Sequence, residues 1–180
     1  IADDIVTHRQ LMGIPLQPCD LDFTTCLYRY EKPASPHLSV KLANAVLDFK
    51  IITKSTQQLQ QSYDAVLLEG AGGLLVPITE QLLTLDYIAE QGYPVILVTS
   101  GRLGSINHTL LSLEAIKARG LTLHSVIYNH IHDSAAQTDD EITNSTINYL
   151  KNYLARHYPN SYWLQMAQQI NSTIGNDNLA

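Results

Sequence analysis

The chain has 180 residues, 45% hydrophobic and 16% charged, with a formal net charge of -6. Such a length and composition suit one globular domain around a single core rather than a disordered chain. The acidic balance, without any cluster of Lys and Arg, excludes a phosphate-binding nucleic-acid face, and no apolar run reaches the ~20 residues that span a bilayer.

The first residues, Ile1-Ala2-Asp3-Asp4, are acidic, carry no signal-peptide pattern and begin inside a helix-like stretch. Because that stretch starts with Ile rather than Met, a leading segment is expected before it. Cys19 and Cys26 are the only cysteines, without zinc or redox spacing, which points to a reducing compartment, by default the cytoplasm. A turn at Pro33-Ala34-Ser35-Pro36 precedes helices expected over residues 38–47 and 52–62. Residues 65–68 read as a buried strand that ends in Glu69-Gly70-Ala71-Gly72-Gly73.

Residues 82–91 read as a helix closed by Gly92. Next comes PVILVT, residues 94–99, a strand apolar on both faces, as in a sheet covered by helices. A helix is expected over 107–119 with Gly120 as its stop, then a strand over 125–128 and a polar loop from Asn129. Thr138 and Glu141 have capping-box spacing, so a helix should run over 139–157, with Ile142, Tyr149, Leu150, Tyr153 and Leu154 as its stripe and Pro159 beyond it. Residues 171–180 are polar and expected to fray. The alternation predicts an α/β fold with a parallel sheet, whose ligands bind at the carboxyl ends of the strands.

Three segments stand at such ends. After the first strand, the glycines of 70–73 would let the backbone approach an anion, and Glu69 could hold a hard cation such as magnesium; a tight turn with a solvated Glu is the plain alternative. Between PVILVT and the next helix, GRLGSIN (residues 101–107) offers free amides at a helix start, although Ser105 and Asn107 could simply cap it. After the third strand, Asn129 has the donor and acceptor that suit an adenine edge, or it closes a turn. His130, His132 and Asp133 lack the further ligands a zinc site would need.

Together YDAVLLEGAGGLLVP (63–77), PVILVTSGRLGSINHTLLSLEAI (94–116), SVIYN (125–129) and Ser35-Pro36-His37 resemble the dethiobiotin synthetases, over most of residues 1–158. The resemblance implies a P-loop NTPase-like, Rossmann-like three-layer fold. It also implies a cyclo-ligase that joins 7,8-diaminononanoate, CO2 and ATP through a carbamate and a carbamic-phosphoric anhydride, with Mg2+, in a cytoplasmic homodimer.

By the same resemblance Asp4 and Glu69 would hold magnesium, and they would contact ATP with Gly70, Ala71, Gly72, Asn129 and His130. Gly104, Ser105, Ile106 and Asn107 would receive the substrate carboxylate across the dimer interface. No Gly-x-x-x-x-Gly-Lys-Thr/Ser occurs in these residues. The family's P-loop and catalytic lysines are therefore expected upstream of Ile1, leaving this stretch without its first βα unit and catalytically incomplete by itself. The family's GEIP-like nucleotide loop is missing too, with residues 163–166 about where it would stand. A non-catalytic paralogue or binding protein, and a P-loop ATPase of the partitioning or amidoligase type, are the alternatives.

Overall fold

Each of two stretches, Ile1–Gln91 and Gly92–Ala180, forms its own compact unit. The computed structural model describes residues 1–32, 34–70, 72–130 and 140–166. The expected frayed tail, the cap at Thr138, and His132 and Asp133 lie outside the described residues.

The first unit is helical: α1 (Asp3–Met12), α2 (Pro18–Leu21), α3 (Pro36–Leu42), α4 (Phe49–Gln60) and α5 (Thr84–Gln91). Helix α1 ends because Gly13 takes φ 66°, so that the Gly13 and Ile14 N–H groups donate back to the Gln10 and Arg9 carbonyls. Asp48 starts α4 by accepting from the Lys50 N–H at 2.9 Å. The Tyr87 ring packs edge-on against Phe49, 6.2 Å between centroids, and its hydroxyl meets Thr53 Oγ1 at 3.0 Å. These contacts join α4 to α5, whose Leu85 and Tyr87 are buried.

Among the described residues of this unit Asp20 is the one fully buried carboxylate, and Arg9 explains it. The guanidinium donates through Nε to Oδ2 at 2.8 Å and through Nη2 to Oδ1 at 2.9 Å, a two-pronged pair. The Gln17 N–H and the Thr25 hydroxyl supply further donors at 2.7 and 3.0 Å. The Arg9 hydrogen bonds, chiefly, hold the Asp20 carboxyl down from 3.8 to about 2; burial opposes them and the Gln17 and Thr25 donors assist. The depressed value means that this stabilisation is complete above the ordinary carboxylate range and is lost as pH falls through about 2. Asp20→Asn should cost ~1–3 kcal/mol near neutral pH, because it leaves Arg9 without its charge partner. In thermal melts the gap between wild type and this variant should narrow between pH 4 and pH 2; a gap independent of pH over that interval would refute the account.

One expected strand is not there. Residues 65–68 form no ladder with any described neighbour, and Leu67 is 83% exposed. Strand propensity is satisfied only by a partner whose backbone groups face it, and composition cannot supply that partner.

The second unit alternates as expected: β1 (Val95–Ser100), α6 (Ser105–Ala118), β2 (Leu123–Asn129), α7 (Asp140–His157) and β3 (Tyr162–Met166). The strands lie in the order β1-β2-β3, all parallel. Leu97 pairs with Val126 and Thr99 with Tyr128; Val126 and Tyr128 pair onward with Trp163 and Gln165. The core combines Val126 and Tyr128 with Leu113 and Ile116 of α6 and Leu150 and Leu154 of α7, each at most 3% exposed. The Tyr158 hydroxyl donates to the Leu113 carbonyl at 2.8 Å, and the Ser161 hydroxyl to the Leu123 carbonyl at 2.6 Å, fixing the turn before β3. Alternate residues share a sheet face; on the face away from Thr99 and Val126, Ile96, Val98, Leu164 and Met166 are exposed. Strand β3 occupies the stretch where a nucleotide loop stands in the resembled family.

Candidate active site

In the first unit the glycine turn is held from behind. The Thr84 N–H and hydroxyl both donate to the Val76 carbonyl, at 2.9 and 3.0 Å, the Leu85 N–H donates to Leu74 at 2.8 Å, and Pro77 bridges Leu83. A side chain would be crowded at two positions. A Cβ on Gly70 would lie 3.0 Å from Thr84 Cγ2, and one on Gly72, whose φ is 84°, would lie 3.1 Å from Val76 Cγ2. Ala71 lies outside the described residues.

Glu69 stands at the head of this turn with its side chain 76% exposed. Its carboxylate lies 3.8 Å from Nε2 of His8. His8 is one turn beyond Asp4 on α1, so the two share a helix face. The Asp4 face of α1 is thus the face that comes near Glu69. Two exposed carboxylates suit magnesium, which keeps several waters and takes only one or two protein carboxylates. Among the described residues no group of three or more His, Cys, Asp or Glu could hold a metal. Sequence reasoning missed His8, whose only signal was its spacing from Asp4.

In the second unit α6 begins two residues before the expected start. Gly104 precedes it at φ 86° with no side-chain cap. The Ser105 N–H donates to Arg102 and the His108 N–H to Gly104, at 2.9 and 3.0 Å. The Ile106 and Asn107 N–H groups have no acceptor among the described residues. With the helix dipole behind them, two unpaired donors make this end favourable for an anion.

Asn129 closes β2, paired between Ser100 and Met166. His130 is tied back to the sheet: its Nε2 lies 3.0 Å from Gln165 Oε1, and its ring meets Tyr128 edge-on with 4.8 Å between centroids. The sequence placed His130 at a strand end but could not show this tether, because Gln165 belongs to the unexpected β3.

Comparisons with known proteins follow the same chain. A family model described as an AAA domain matches residues 21–172. The ATP-dependent dethiobiotin synthetase BioD of Chlorobaculum tepidum is 48% identical over 157 residues, 87% of this chain and 64% of that protein. BioD 2 of Pasteurella multocida is 47% identical over 161 residues, 89% of this chain and 74% of that protein. BioD 2 of Haemophilus influenzae is 57% identical over 129 residues, 72% of this chain and 68% of that protein. The chain spans between three fifths and four fifths of these relatives' own lengths, less than two thirds of the Chlorobaculum protein.

Proposed function

We propose, from the premise that the chain belongs to the ATP-dependent dethiobiotin synthetase family, that the whole protein is the cyclo-ligase of biotin biosynthesis. It would convert 7,8-diaminononanoate, CO2 and ATP to dethiobiotin. The observation that carries this reading is the 47–48% identity to two such synthetases over 87–89% of the chain. The AAA-domain match runs across the division at Gln91, which supports treating residues 1–180 as one domain of the P-loop NTPase-like α/β class.

The chemistry asks for charge control: a carbamate oxygen attacks the γ-phosphoryl of ATP, and the second amine then closes the ring. Asp4 and Glu69 would hold Mg2+, which when bound neutralises phosphate charge. Gly70 and Gly72 carry no side chains, so at those two positions the backbone could lie against a phosphate. Residues 104–107 would bind the substrate carboxylate, with Asn129 and His130 at the adenine. The tether to Gln165 orients the His130 ring for that contact. The family resemblance supports a homodimer and the cysteine usage a reducing compartment such as the cytoplasm; no helix among the described residues is long and apolar enough to cross a membrane.

The deciding experiment incubates the full-length protein with diaminononanoate, bicarbonate, ATP and Mg2+ and follows dethiobiotin by mass spectrometry. Binding of ATP and diamine without product would favour a non-catalytic paralogue. A second check is Asn107→Ala, which keeps the backbone N–H but removes the side-chain amide as a donor to the substrate carboxylate, and should weaken diamine binding about tenfold in calorimetry, the scale of one charge-assisted hydrogen bond, while nucleotide binding stays within twofold. Equal loss of both would make Asn107 a support of the fold.

A further inference from the structure

A cavity of about 390 Å³ lies in the first unit, between α3 and the turn that follows Pro77. From α3 it takes His37, Val40 and Lys41, which share one helix face by their spacing. From the turn it takes Ile78 and Glu80. That turn is held in shape from within. The Ile78 and Thr79 N–H groups donate to the Leu82 carbonyl at 2.8 and 3.2 Å, and the Thr79 hydroxyl accepts from the Gln81 and Leu82 N–H groups at 3.3 and 3.1 Å.

Val40, Leu47 and Ile78 are half-buried and give the cavity an apolar lining. Lys41 and Glu80 line it as well, and both are exposed. No ion pair joins them or ties either one to another described residue. Opposite charges that line one cavity without meeting suit a ligand that carries both, since a lone anion would face Glu80 and a lone cation Lys41. The His37 ring makes no hydrogen bond to any described residue, and its Nδ1 is shut off from solvent. A buried ring nitrogen is ordinarily paired. Half a turn about Cβ–Cγ keeps the outline of the ring and exchanges Nδ1 with a carbon, so a ligand in the cavity can supply the missing hydrogen bond.

We propose that this cavity binds a small aliphatic amino acid. Its carboxylate lies on Lys41, its ammonium on Glu80, its stem on Val40, Leu47 and Ile78, and His37 takes one further polar contact. The site shares no residue with the carboxylate place at 104–107, and it stands independently of the ligase reading.

The test titrates L-leucine into the full-length protein and reads Kd by ligand-observed NMR. Leucine should bind, whereas 4-methylpentanoate and 3-methylbutylamine, each lacking one of its charges, should bind about fivefold more weakly, the scale of one exposed charged contact. Lys41→Met and Glu80→Gln should each weaken leucine by about the same factor. The exchanged pair, Lys41→Glu with Glu80→Lys, should regain most of the affinity, which a mere disturbance of folding would not do. His37→Leu should weaken leucine, and His37→Gln should weaken it less. Diaminononanoate carries the same charges on a longer stem: displacement of leucine by it extends the site to such amino-carboxylates, and no displacement confines the site to α-amino acids. No leucine binding at millimolar concentration, equal binding of the one-charge analogues, or full affinity in both single variants overturns the proposal. Binding is read rather than turnover, so the result holds whether or not dethiobiotin is formed.

Discussion

Residues 1–180 expressed alone are expected to form no detectable dethiobiotin, whatever ATP and Mg2+ are supplied. These residues contain no Gly-x-x-x-x-Gly-Lys-Thr/Ser, the element that wraps phosphates in backbone N–H groups and brings a lysine to them. Each such electrostatic donor contributes ~10²-fold or more to rate, so a site without that element lacks several factors together. The stretch should also be poorly soluble. Leu67 is 83% exposed and Val98 56%, and the sheet face bearing Val98 also exposes Ile96, Leu164 and Met166. Uncovered apolar strand surface of this kind recruits other chains. The measurement is product formation by mass spectrometry beside light scattering, with the full-length protein as the active control. Turnover by the 180-residue chain would mean that phosphates are held by residues not identified above.

Glu69→Gln in the full-length enzyme should lower kcat/KM by ~10²-fold or more, the scale seen when one charge-stabilising group is removed from an active site. The substitution keeps size and hydrogen-bonding shape and deletes the charge that would hold Mg2+. Asp4→Asn should act in the same direction, and the double variant should lose less than the product of the single losses, because both groups would serve one ion. The Mg2+ concentration for half-maximal rate should rise in each variant. Stability should hardly change, within ~0.5 kcal/mol, since both side chains are exposed and away from the core. A Glu69→Gln enzyme within threefold of wild type at every Mg2+ concentration would remove Glu69 from the site. A large loss of melting temperature would instead assign its effect to folding, through the neighbouring His8.

The sequence by itself determined the elements that local chemistry specifies. PVILVT became β1, displaced by one residue, because a β-branched run between polar turns has little else to become. Gly92 and Gly120 stop helices at φ 67° and 65°, positions a side chain would strain. The glycines beside Glu69 and the open start of α6 were legible as candidate site elements for the same reason: their conformations are demanded residue by residue.

Tertiary structure alone decided which distant pieces meet. Residues 65–68 carry a strand's composition without a ladder, whereas residues 162–166 gain strand character from pairing with β2. The Arg9 fork on Asp20, the approach of His8 to Glu69 and the Gln165 tether of His130 all join residues from separate elements. The start of α6 is a further case: in sequence Ser105 is a capping residue, and only the packing of β1 beside α6 shows that it lines a cavity. Periodicity and propensity record what each residue does to its own backbone. Ladders, buried charges and cavities depend on partners that the chain meets only after it has folded.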